Sequence, residues 1–104
     1  MSELLEITVS EETGEFRLTL DGEIDLSNAS ELERAADAAC DGHHQVTFDL
    51  SAVTYLDSSG VHVIRTLARR ADPQRLKLVA PTGSIARDVL DLIEARAFAD
   101  IADQ

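Results

Sequence analysis

The sequence predicts an α/β fold in which a mixed β-sheet, opened by a β-hairpin, is packed with helices in a single domain over residues 1–104. Three observations carry that expectation. Apolar and polar residues alternate on both sides of Glu11–Gly14, and strand and helix patterns alternate after Asp21-Gly22. The chain is 104 residues long with 44% hydrophobic side chains, enough for one modest core and too short for two.

In the hairpin, Leu5, Ile7 and Val9 alternate with Glu6, Thr8 and Ser10, while Phe16, Leu18 and Leu20 alternate with Arg17, Thr19 and Asp21. Each strand therefore has one apolar face. Asp21-Gly22 is expected to end the second strand, after which Ser27 or Asn28 offers an N-cap oxygen to a helix carrying Ala29, Leu32, Ala36 and Ala39 at helical spacing. Asp41-Gly42 stops that helix. A short strand, Val46–Leu50, leads through Ser51–Leu56 into a helix starting near Asp57, with Val61, Ile64, Leu67 and Ala68 on one face. Asp72-Pro73 separates this helix from the strand Leu76–Val79, since a residue before proline is pushed out of the α region. Pro81–Ser84 launches a last helix with Ile85, Val89, Leu92 and Ile93 inward, and residues 100–104 read as a fraying end. The order is β-β-α-β-α-β-α, with right-handed crossovers and no internal repeat or linker.

Nine Lys and Arg against twenty Asp and Glu leave a net charge of −11. Such a chain repels a nucleic-acid backbone and an anionic membrane, so neither is an expected partner; a basic protein surface remains compatible. Cys40 is the only cysteine, which removes an intramolecular disulfide and a cysteine zinc site. No stretch approaches eighteen apolar residues and the first residues lack a signal-peptide pattern, so the chain reads as cytoplasmic.

Asp57-Ser58-Ser59-Gly60 stands where a loop meets a helix, whose first N–H groups have no internal partner. Asp57 or a serine can cap them, and that alone accounts for the segment as a common helix start. Its surroundings point further. Phe48-Asp49-Leu50 followed by Tyr55-Leu56-Asp57-Ser58-Ser59-Gly60-Val61, together with Leu20-Asp21-Gly22-Glu23-Ile24-Asp25 after the hairpin, resembles the signature of the STAS domain family, and in particular its stand-alone anti-sigma factor antagonists. The resemblance runs from the hairpin to the last helix. His62 departs from it, because the family commonly has a small residue there.

The resemblance implies a cycle in which the unmodified antagonist binds an anti-sigma factor, itself a serine kinase, and so frees a sigma factor. Phosphorylation of the first serine ends binding, and a serine phosphatase is the implied partner that reverses it. Carried onto this chain, Ser58 is the phosphoacceptor, with Asp25, Asp57, Ser59, Gly60 and His62 on the partner surface. The residues themselves do not separate Ser58 from Ser59. Phosphoserine adds about −1.5 to −2 charges. At a helix N-terminus this gains roughly 0.3–1 kcal/mol from the dipole, while repulsion from Asp57 costs about 1 kcal/mol per charge pair at 4 Å in water. The fold is expected to be indifferent, and the docked partner is expected to lose several kcal/mol by desolvating a dianion. A side chain at Gly60 is expected to project beside the phosphoacceptor and to hinder docking with little cost to the fold.

Other readings are weaker. Ser58 is not in a Gly-x-Ser-x-Gly setting, and His43, His44 and His62 are the only histidine bases, so no enzyme is expected. His43-His44 after Asp41 reads as a polar loop rather than a metal site, Cys40 as a small helix-end residue, and no cofactor is expected. The alternative inside the same fold is a scaffold or accessory subunit of a stress-signalling assembly or membrane transport system, without a phospho-switch.

Overall fold

A computed structural model describes residues 4–12, 14–40, 45–70 and 76–104. Thr13, Asp41-Gly42, His43-His44 and Asp72-Pro73 lie outside the described residues, as do the side chains of Ala39 and Cys40. The elements are β1 (Leu5–Glu12), β2 (Glu15–Ile24), α1 (Ala29–Cys40), β3 (Gln45–Leu56), α2 (Ser58–Arg70), β4 (Leu76–Val79), α3 (Ile85–Leu92), a 3-10 turn (Ala95–Ala97) and β5 (Asp100–Ala102). They form one mixed sheet of order β1-β2-β3-β4-β5, antiparallel at β1–β2 and parallel elsewhere. Parallel strands laid down in sequential order leave their connecting helices on one face when the crossovers share the usual right hand. That face buries Leu18, Phe48 and Leu78, which pair across β2, β3 and β4, against Leu32, Ile64, Leu67 and Leu90 from the helices.

Two strands run further than their letters suggest, for one physical reason. β2 does not end at Asp21-Gly22, and β3 does not end at Leu50. Between Thr19↔Asp49 and Asp21↔Ala52, and again between Gly22↔Val53 and Glu23↔Tyr55, β3 carries one residue more than β2. Each such bulge turns the following side chain to the other face and increases the local twist. Leu50, Val53 and Leu56 are therefore all buried at a spacing of three, a pattern that does not read as a strand. Gly22 continues β2 at φ +121°, and a Cβ there would overlap the Leu4 carbonyl oxygen.

The other face of the sheet is polar. Arg17 Nη2 donates to Asp49 Oδ2 at 2.6 Å, Thr47 Oγ1 donates to Glu15 Oε1 at 2.8 Å, and the Ser51 N–H donates to Asp49 Oδ1 at 3.0 Å. Burial alone would raise the Asp49 pKa, but the bonds from Ser51 and the Arg17 guanidinium outweigh it and hold the carboxyl below the usual range. A carboxyl depressed in the folded state stabilises above its unfolded pKa and loses that contribution as pH falls through its folded value. Asp49→Asn should therefore cost about 1 kcal/mol near neutral pH. Its melting midpoint should converge on that of the wild type as both are acidified below about pH 4. A difference that stays constant well below about pH 4 would show that Asp49 acts by shape alone.

Helix α2 matches its expected face, with Val63 and Gly60 added to Ile64, Leu67 and Ala68. Helix α3 is rotated from expectation. Ser84 caps it by accepting from the Arg87 N–H at 3.2 Å, and Ala86 and Leu90 are buried while Ile85 is 50% and Leu92 83% exposed. Val89 and Ile93 do face the core, in part. The C-terminal end also differs, because Asp100–Ala102 pairs with Lys77–Val79 as an edge strand rather than fraying. Asp103 secures it by accepting from the Thr82 N–H and hydroxyl, both at 2.8 Å, and from Arg87 at 3.2 Å. Ala80 N–H also donates to Ala102 O at 2.8 Å. Among the described residues, no helix is long and apolar enough to cross a membrane.

Candidate functional site

The site is built by the last residue pair of two parallel strands. Ile24 on β2 pairs with Leu56 on β3, so Asp25 and Asp57 leave the sheet side by side. Asp57 N–H donates to Ile24 O at 3.3 Å, tying the two exits together. Beyond them the chain enters α1 and α2, whose first turns flank the same edge.

Asp57 is the cap of α2. Its Oδ1 accepts from the N–H groups of Ser59 at 2.9 Å and Gly60 at 3.2 Å, while its carbonyl accepts from Val61 at 3.1 Å. Asp25 organises the other turn by a related device: Oδ1 accepts from the Ser27 N–H at 2.8 Å and hydroxyl at 2.5 Å, and its carbonyl accepts from the Ala29 N–H at 3.0 Å. Asn28, fully buried, accepts from the Asp25 N–H at 3.1 Å and donates to the Glu23 carbonyl at 2.8 Å. Both carboxylates are thus occupied in shaping the backbone of their own turns, while the Asp57 N–H bond to Ile24 O ties the two exits together.

Two concavities meet at this edge. One, of about 620 Å³, is bordered by Glu23, Asp25, Tyr55 and Asp57. The second, of about 370 Å³, runs between α1 and α2 and is lined by Ser30, Glu33, Ser58, Ser59 and His62. Leu26 borders both and is 80% exposed; Tyr55, at 48%, stands beside Asp57. Among the described residues lining the two, none is Lys or Arg, whereas Glu23, Asp25, Glu33 and Asp57 are acidic.

Asp25, Asp57, Ser58, Ser59 and His62 therefore reach one surface, with Ser58 and His62 exposed and Ser59 half-buried. Gly60 does not. It is buried, and a Cβ there would overlap Leu56 Cδ1 and lie 2.7 Å from Ile24 Cγ2. The expectation that a side chain at this position points outward is corrected: the glycine lets the first turn of α2 sit on the Ile24–Leu56 pair. Leu26 and Tyr55 are the surface residues that sequence reading missed. Leu26 belongs to no apolar period and stands in a polar turn, which is the one signal that could have drawn notice.

A family model described as the Mlab, STAS domain matches residues 7–101. The chain belongs to the STAS domain family. The anti-sigma-F factor antagonist RsfB of Mycobacterium tuberculosis is 31% identical to this STAS chain over 88 residues, covering 84% of it and 72% of RsfB. Among solved structures, an anti-sigma factor antagonist from Mycobacterium paratuberculosis superposes with a TM-score of 0.85 at 22% identity, covering 96% of this chain and 86% of that one. The Bacillus cell fate determinant SpoIIAA in its phosphorylated form superposes with a TM-score of 0.67 at 17% identity, covering 93% and 91% of the two chains. These superpositions establish the STAS fold, a mixed α/β domain with a five-stranded sheet.

Proposed function

We propose that this STAS domain is an anti-sigma factor antagonist whose free form docks on a kinase-type anti-sigma factor through the Asp25–Asp57 edge and releases a sigma factor. Phosphorylation of Ser58 ends the docking, and a serine phosphatase restores it. The observation that carries this reading is the setting of Ser58: an exposed hydroxyl on the first residue of α2, in the concavity between α1 and α2 that exposed Leu26 also borders. Ser59 is less accessible and its N–H is bound by Asp57, which favours Ser58 as the acceptor. RsfB, named as an antagonist of this type, supports the partner class, and SpoIIAA, solved phosphorylated, supports the chemistry.

Apolar side chains that are exposed at such an edge gain most from being covered, about 1.5–3 kcal/mol for a leucine. The test is titration of the protein into a complex of the anti-sigma factor and sigma factor from the same genome. Sigma factor should be released by wild type, and Leu26→Ala should need roughly ten times more protein for the same release. A complex that stays intact at saturating protein would remove the antagonist reading and favour an accessory or scaffold role.

A further inference from the structure

The cap geometry raises a question about where a phosphate on Ser58 goes. A helix N-terminus ordinarily offers free N–H groups to an anion, but here the N–H groups of Ser59 and Gly60 already donate to Asp57, and that of Val61 donates to the Asp57 carbonyl. A phosphate would have to displace Asp57 to use them. The neighbouring groove between α1 and α2 supplies other donors: the hydroxyls of Ser30 and Ser59 and the imidazole of His62 line it together with Ser58. Ser58 and His62 are four residues apart on α2, one turn, a spacing that brings side chains together.

We infer that His62 is a positioning residue for the phosphorylated state: its imidazolium pairs with the phosphate of Ser58 and holds it in the α1–α2 groove, with Ser30 and Ser59 as hydroxyl donors. This rests on Ser58 being the modified residue. Among the described residues lining the groove, the charged group facing the pair is Glu33, from α1; Arg65, one turn further along α2, lines a separate concavity with Arg69 and Phe98. Glu33 lies 3.8 Å from Arg70, which also pairs with Asp37, so part of its charge is already balanced. Leu26 and Val63 supply the apolar walls. A serine phosphate loses its second proton at about pH 6, and a cation beside it favours the dianion.

The experiment uses full-length protein with phosphoserine inserted at position 58 during translation, so that no kinase is needed, and follows the 31P resonance against pH. The second ionisation of the phosphate should fall about half a pH unit lower in the wild type than in His62→Gln. His62 is exposed, so the variant folds. Equal midpoints in the two proteins would overturn the inference and leave a solvated phosphate. That failure is separate from failure of the switch itself: equal midpoints beside a kinase that modifies Ser58 remove only the role of His62. A shifted midpoint beside a kinase that ignores Ser58 removes the switch and leaves the groove as a phosphate site.

Discussion

Phosphorylated at Ser58, the protein should bind its anti-sigma factor at least about 100-fold more weakly while its melting midpoint moves by only a few degrees. The two effects have different sizes because the phosphate meets different surroundings in each case. In the free protein Ser58 is exposed, so the new dianion keeps part of its water even where His62 pairs with it. It gains a fraction of the helix-dipole attraction and suffers a repulsion from Asp57 of similar size. A net change near 1 kcal/mol corresponds to about 4–8 °C for a domain of this length, and a smaller residual to less. In the complex the same group must shed water against an edge already carrying Glu23, Asp25, Glu33 and Asp57. Burying a dianion there, at most half neutralised by one imidazolium, costs several kcal/mol, and about 3 kcal/mol is already a factor near 100. Calorimetry and binding on one phosphorylated sample separate the two. A midpoint lowered by tens of degrees would mean that the phosphate refolds the domain.

Gly60→Val should act in the opposite way, striking the fold first. The added carbons would enter the space held by Leu56 Cδ1 and Ile24 Cγ2, beneath the first turn of α2. Leu56 can swing its terminal methyls, but Ile24 is β-branched, fully buried and fixed by pairing in the sheet. Overpacking of this kind costs about 1–3 kcal/mol, which at roughly 4–8 °C per kcal/mol predicts a fall in midpoint on the order of 10 °C. Relief requires α2 to lift away from the Ile24–Leu56 pair, which would also part the Asp25 and Asp57 turns and weaken docking. Gly60→Ala should show the same loss at smaller size. An unchanged midpoint in Gly60→Val, with phosphorylation or docking impaired, would show that the position faces the partner after all.

The contrast between these two residues also marks how far the letters reach. Period two in Leu5–Val9 and Phe16–Leu20, and helical spacing in α2, are local properties, and the structure has the hairpin and that helix where they are expected. The bulges in β3 are set by its pairing with β2, so the spacing of Leu50, Val53 and Leu56 became meaningful only once the two strands lay side by side. The rotation of α3 has a similar origin. Ile85 and Leu92 suit an inward face by hydropathy, but the sheet receives Ala86 and Leu90. β5 is three residues long and depends on Asp103 reaching Thr82 and Arg87, a contact across 16 to 21 positions that no local pattern announces.

At the site, the helix start and its capping carboxylate were legible because Asp57-Ser58-Ser59-Gly60 is a contiguous signal, and Asp25 was legible through the resemblance of its segment. Their meeting is a product of the Ile24↔Leu56 register. Gly60 could be read as a glycine in a first turn, but whether its missing side chain faces solvent or core depends on which way α2 settles on the sheet. Leu26 stayed hidden because an apolar residue in a turn has no period to betray it.

If binding is switched through Ser58, modification and affinity must change together at that one residue. The protein and its Ser58→Ala variant are incubated with ATP and the kinase-type anti-sigma factor of the same genome, the modified residue is mapped by mass spectrometry, and affinity is measured for each product. The wild type should carry one phosphate, on Ser58, and lose affinity. Ser58→Ala should carry none and bind as tightly as unmodified wild type, since it removes one exposed hydroxyl while Asp57 still caps α2. Phosphate found on Ser59 with none on Ser58, or a Ser58→Ala variant that is still phosphorylated and released, would contradict the account.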